Sequence, residues 1–197
     1  MNTTRPTDAL LADAAAFFGP SLDLSRVRIR PSRLVIGPPG TAWTCNDVIR
    51  FKPSKDADGR PSHAVVIHEL GHVWEHQSGQ AQLLRGVVEQ IGRRLGRDPY
   101  DYGGPEGLRR ADSLTSFRKE SQARIIEELW RSRNGYDRDR AGVPFATEGY
   151  REDLDRLVGG AGIGVRTASR RTLWSTVDGA IARIVNAVAA AIERMSA

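Results

Sequence analysis

Apolar positions recur at two different periods along the chain, and the change of period outlines the elements. Leu10, Leu11, Ala14, Ala15 and Phe18 fall at helical spacing and predict a helix over 8–18, closed by Gly19-Pro20. Val27-Arg28-Ile29-Arg30 alternates with period two and predicts a strand that Pro31 stops. Leu34-Val35-Ile36 suggests a second strand, ended by the turn Gly37-Pro38-Pro39-Gly40. Residues 43–51 read as a third, with Asn46-Asp47 forming a turn or bulge inside it. Residues 53–62 are polar and read as a loop.

The helical period then takes over. Ala64, Val65, Ile67, Leu70, Val73 and Trp74 predict a helix over 63–77 that Ser78-Gly79 ends. Leu83, Leu84, Val87, Val88, Ile91 and Leu95 predict another over 80–95, and residues 98–105 read as a loop. Ala123, Ile126, Leu129 and Trp130 predict a helix over 119–131, with Asn134-Gly135 as its stop. Beyond Gly142 the chain changes character. Residues 159–164 form a glycine-rich hinge, and 173–192 carry an amphipathic helix. The hinge is not a nucleotide loop, because no strand leads into it and Val165 stands where a glycine is needed. The expected fold is α+β: a small antiparallel sheet beside one helix, with a helical C-terminal half. The expected division is a domain over 1–142 and a helical extension over 143–197.

Composition narrows the class. The chain has 197 residues, 40% hydrophobic and 27% charged, as in an ordinary globular protein. The formal net charge is +5. Only Lys52, Lys55 and Lys119 among the 29 cationic residues are lysines, and acids lie between the arginines, so the charge does not point to nucleic acid. Cys45 stands alone, which excludes an internal disulfide and suits a reducing compartment. The first 24 residues lack the pattern of a secretory signal, and no apolar run reaches the roughly 18 residues of a membrane span. A cytoplasmic protein is expected, or one delivered by a secretion system that needs no signal peptide.

The chemistry is concentrated in one helix. All four histidines, His63, His68, His72 and His76, fall within it, and His68-Glu69-Leu70-Gly71-His72 matches the H-E-x-x-H pattern. Residues four apart on an α-helix differ by about 40° in rotation and about 6 Å in rise, so two imidazoles so spaced can converge on one ion. Glu69 beside the first histidine suits a general base acting on a water that the ion acidifies. This is the signature of a zincin-like metallopeptidase, with Zn2+ as cofactor and a peptide or protein as substrate.

Such a site needs a third ligand. His76 lies about 12 Å above His68 on a straight helix, too far to share its ion. Glu120, Glu127 and Glu128 on the 119–131 helix are the carboxylate candidates, and small Ser121 and Ala123 favour Glu120 by allowing close approach. Tyr100, Tyr102 and Tyr136 are candidate donors to an oxyanion. The strand over 43–51 is a candidate edge for an extended substrate, and Cys45 on it reads as a buried thiol.

Several of these stretches together resemble a known family. Val66-Ile67-His68-Glu69-Leu70-Gly71-His72-Val73-Trp74, the 43–51 strand, Pro99-Tyr100-Asp101-Tyr102-Gly103 and Glu120-Ser121-Gln122-Ala123 followed by Arg124-Ile125-Ile126-Glu127-Glu128 are similar to bacterial metallopeptidases labelled Vgr-related proteins. The resemblance covers roughly residues 22–135, and it departs at Ser121, where the family has glutamine. It implies a minimal gluzincin associated with type VI or contractile injection systems, with secretion-system or effector proteins as partners. It also implies His68, His72 and Glu120 as ligands and Glu69 as base, but no particular substrate. Metallopeptidases that relieve repression by cleaving regulators share the H-E-L-x-H helix. Their two helices are closer in sequence, however, and they lack the Tyr100-Asp101-Tyr102 loop.

Overall fold

The computed structural model describes residues 8–53, 61–80 and 98–163. The helices expected over 80–95 and 173–192, and most of the 53–62 loop, lie outside these residues. Helix α1 (Asp8–Phe18) buries Leu10, Ala14 and Phe18, one stripe at i, i+4 and i+8. A 3-10 turn over Gly19–Ser21 follows, where Pro20 ends the α-helical ladder.

Strands β1 (Arg28–Pro31), β2 (Ala42–Cys45) and β3 (Val48–Phe51) form one sheet in the order β1-β3-β2. The 43–51 stretch is a hairpin: Thr44 faces Ile49 and Cys45 faces Val48 across a two-residue turn. Asn46 takes φ +55°, a left-handed conformation that asparagine tolerates better than most residues. Asp47 beside it accepts from Arg26 at 2.7 Å and from Gln77 at 2.8 Å, tying the turn to the end of the next helix.

The sheet is mixed rather than antiparallel. β1 pairs parallel to β3, and only β2 pairs antiparallel to it. The return between β1 and the hairpin is made by residues 32–41, which contain the expected 34–36 strand. That strand is not formed. Gly37 at φ +139° and the Pro38-Pro39 pair interrupt any ladder there, and Val35 is buried while Ile36 is 95% exposed.

Helix α2 (His63–Gln77) begins at Ser62, whose side chain accepts from the Val65 N–H, and ends at Gly79 with φ +83°. It packs on β2 with one face and on helix α4 (Lys119–Arg133) with another. Between them lies a helix absent from the sequence reading, α3 (Gly104–Arg110), with Pro105 in its first turn. Gly107 in α3 is sterically required, since a Cβ there would fall 1.9 Å from the Tyr102 carbonyl oxygen.

Helix α5 (Tyr150–Gly160) packs against α4 and α3. Phe145, Tyr150, Leu154, Leu157 and Val158 are all buried and join the same core as Ile67, Leu70 and Ile126. Buried residues on both sides of the boundary expected after Gly142 thus share one core. Gly159 and Gly160, expected in a hinge, are the last turn of α5, because Leu157 and Val158 anchor that turn in the core.

Candidate metal centre

Burial of Val66, Ile67, Leu70 and Val73 fixes the rotation of α2, and this turns His68 and His72 toward α4. Their rings stand 5.0 Å apart between centroids and nearly perpendicular, at 89°. On α4, Glu120, Ala123 and Glu127 share one stripe at i, i+3 and i+7. Gly71 faces Ala123 so closely that a Cβ on it would lie 3.3 Å from the Ala123 Cα. This close approach lets Glu120 reach across, with Oε2 3.4 Å from His68 Nε2 and 3.3 Å from His72 Nε2. One donor atom from each of the three residues lies within 4.8 Å of the others.

These separations suit zinc. Two donors each 2.0–2.1 Å from one ion at the tetrahedral angle lie about 3.3 Å apart. Two imidazoles and a carboxylate are also a donor set that zinc accepts, leaving one position open.

The electrostatics agree with a site built to hold imidazoles against carboxylates. Burial by itself lowers the pKa of His68, but the Glu120 and Glu127 carboxylates outweigh it and push it up to about 10. Burial and Lys119 likewise lower that of His72, and Glu120 and Glu75 raise it overall. Burial raises Glu120, and the two histidines more than reverse this, holding it well below the usual carboxylate range. Beyond the convergent Nε2 atoms, each ring meets a second carboxylate. His72 Nδ1 lies 3.1 Å from Glu75 Oε2, and His68 Nδ1 lies 3.2 Å from Glu127 Oε2.

Glu69 is buried on α2, and its Oε2 accepts from the Thr44 hydroxyl at 2.6 Å. The edge strand β2 is thus fastened to the carboxylate next to His68. Of the three tyrosines, Tyr100 comes to the site: its ring lies 5.9 Å from that of His68, with the Arg124 guanidinium 5.1 Å from its centroid. Tyr102 instead meets the Tyr150 hydroxyl at 2.5 Å and Asp139 at 3.3 Å. Tyr136 lies under Arg131 and beside Trp130.

The other ligand candidates are turned elsewhere. Glu127 meets Nδ1 of His68 rather than Nε2, and Glu128 accepts from the Arg140 backbone and pairs with Arg124 and Arg131. His76 is outside the donor group, and His63 lies 3.6 Å from Asp13 at the start of α2. Ala123 makes the close approach expected of it. Ser121 does not, because its hydroxyl donates to the carbonyls of Pro99 and Asp101 and fixes the Tyr100 loop on α4. Next to that loop is a cavity of about 690 Å³ lined by Asp98, Asp101, Tyr102, Ser116, Phe117, Arg118 and Ser121.

The sequence reading missed Thr44, Glu75 and the Arg124–Tyr100 pair. A carboxylate three residues after His72 was a visible signal for Glu75, since i and i+3 share a helix face. Nothing in the sequence marks Thr44, which meets Glu69 only through the packing of β2 on α2.

No family model matches the chain. It is 28% identical over 141 residues to the type VI secretion system spike protein VgrG2b of Pseudomonas aeruginosa. That match takes in 68% of this chain but only 13% of the spike protein, so the chain spans a small part of its relative's length. Among solved structures, the effector domain of Pseudomonas aeruginosa VgrG2b superposes with a TM-score of 0.57 at 22% identity, over 81% of this chain and 83% of that one. The chain shares the fold of that effector domain. The expected tie to Vgr-related proteins thus has a counterpart in both sequence and fold. No helix among the described residues is long and apolar enough to cross a membrane.

Proposed function

We propose that this chain is a zinc-dependent peptidase domain with a zincin-like, gluzincin-type site, acting as an effector associated with a bacterial secretion apparatus. The observation that carries the reading is the convergence of His68 Nε2 and His72 Nε2 on Glu120 Oε2, at 3.4 and 3.3 Å, on the helix that also carries the buried Glu69. Zinc held by these three residues would acidify a water and polarise a substrate carbonyl. Glu69 would serve as the general base, taking a proton onto its carboxylate from the attacking water and passing it to the leaving amine. Thr44 keeps the Glu69 carboxylate in place while it does so.

An extended peptide is the substrate class that the surroundings support. β2 is the edge of the sheet among the described residues, so a peptide can add to it as a further strand beside α2. Tyr100, steadied by Arg124, stands next to His68 as a candidate donor to the carbonyl oxygen. Similarity to a secretion spike protein supports delivery by such an apparatus and secretion-system proteins as partners.

The same similarity favours a second reading, a zinc-binding module of the apparatus without catalysis. Glu69 separates the two, since a site that only binds metal has no use for a base. The test begins with metal content: about one zinc per chain in the wild type, lost in His72→Ala and Glu120→Ala. Cleavage of a peptide library is then compared between wild type and Glu69→Gln. Loss of cleavage with zinc retained supports the peptidase. Zinc uptake with no cleavage by either protein supports the module, and absence of zinc removes both.

A further inference from the structure

Glu75 is buried on α2 at 1% exposure, one residue before the helix face opens to His76. Its Oε2 lies 3.1 Å from His72 Nδ1, and its Oε1 has no hydrogen-bond partner. A carboxylate taken out of water without compensation is strongly unfavourable, and here the one hydrogen bond recovered is to an imidazole of the metal centre. Glu127 stands by the other ring, fully buried with Oε2 3.2 Å from His68 Nδ1, but these two atoms do not form a hydrogen bond, and Arg140 at 3.5 Å and Arg124 at 4.0 Å also meet its carboxylate. His72 therefore has Nε2 toward Glu120 and Nδ1 hydrogen-bonded to Glu75.

We infer that Glu75 is a positioning residue that holds His72 with the proton on Nδ1, leaving its Nε2 lone pair directed at the metal. The physical requirement is simple. A neutral imidazole offers a lone pair on one nitrogen and carries its proton on the other, and an acceptor facing a ring nitrogen draws the proton there. A hydrogen bond from the outer nitrogen also fixes the ring's rotation and makes the inner nitrogen a stronger donor. The i, i+3 spacing of His72 and Glu75 places both on one helix, so this support is built into α2 before α4 docks.

The inference rests on the metal-centre reading above, and its test separates the two. Glu75 is the residue to change, because the arginines on Glu127 give that residue a further structural role. Zinc affinity is measured by chelator competition for the full chain in wild type, Glu75→Gln and Glu75→Met, with circular dichroism as a check of folding. The carbonyl of the glutamine variant still accepts from Nδ1, so its affinity should stay within a few-fold of wild type. Methionine fills the space without an acceptor, and affinity should fall about 10- to 100-fold. Wild-type affinity in folded Glu75→Met would overturn the inference and leave the metal centre intact. No zinc in the wild type would sink the metal centre and this inference with it. A second readout needs no variant to fold: long-range 1H–15N spectra of the zinc-loaded wild type should show the His72 proton on Nδ1. A proton on Nε2 would refute the assignment.

Discussion

Replacing Gly71 by alanine tests whether close helix approach sets the third ligand. Gly71 lies in the middle of α2, where alanine is favoured over glycine by about 1 kcal/mol of helix propensity. The new Cβ, however, would meet Ala123 Cα at 3.3 Å and Ala123 Cβ and Ile126 Cδ1 at 3.4 Å. Carbon atoms prefer about 3.5–4.0 Å, so α4 must retreat by about 0.2–0.7 Å at this point. Glu120 is one turn away from Ala123 on the same stripe and shares in that retreat. A metal–ligand distance tolerates only about 0.2 Å of error. The two effects on stability nearly cancel, and the melting temperature of the metal-free protein should hardly move. Zinc affinity should fall about tenfold, equivalent to about 1.4 kcal/mol. Chelator competition on wild type and Gly71→Ala measures it. Unchanged affinity in a folded variant would show that the Gly71–Ala123 contact does not place Glu120.

Other expectations follow from the same geometry. Before metal enters, His68 is held charged up to about pH 10, so zinc uptake at pH 7 must release at least one proton and affinity must climb with pH. Calorimetry in buffers of different ionisation enthalpy reads the release, and buffer-independent heats would contradict it. The sign for stability is fixed by the same shift. A raised imidazole pKa gives the metal-free protein stability that is complete below about 6.5 and lost as the pH rises through about 10, which denaturant titrations across that window would reveal. Gly107→Ala drives a methyl into the Tyr102 carbonyl and should cost at least about 2 kcal/mol in urea unfolding; an unchanged midpoint would refute the crowding. Thr44→Val removes the hydroxyl on Glu69 and should lower turnover while sparing zinc binding, the reverse of Glu120→Ala.

The sequence by itself determined what depends on neighbours along the chain. The helical spacing of His68 and His72, the span of α2 and the start of α4 at Lys119 were legible, because local periodicity fixes them; Asn46-Asp47 was legible as a turn or bulge within one strand, and the pairing that makes it a hairpin was not. The choice among Glu120, Glu127 and Glu128 was only narrowed. Three carboxylates on one helix look alike until its rotation against α2 is known, and the Gly71–Ala123 contact decides that rotation. The parallel pairing of β1 with β3 depends on where the chain returns after Pro31, which no local pattern records. α5 reads as a separate extension because its apolar stripe finds its partner only when α4 presents one. Tyr100 parted from Tyr102 for the same reason. Both share one short loop, but the bonds of Ser121 to that loop, and of Tyr102 to Asp139 and Tyr150, send one ring to His68 and the other into the core. Long-range packing energy selects among locally equivalent arrangements, and only the tertiary structure contains it.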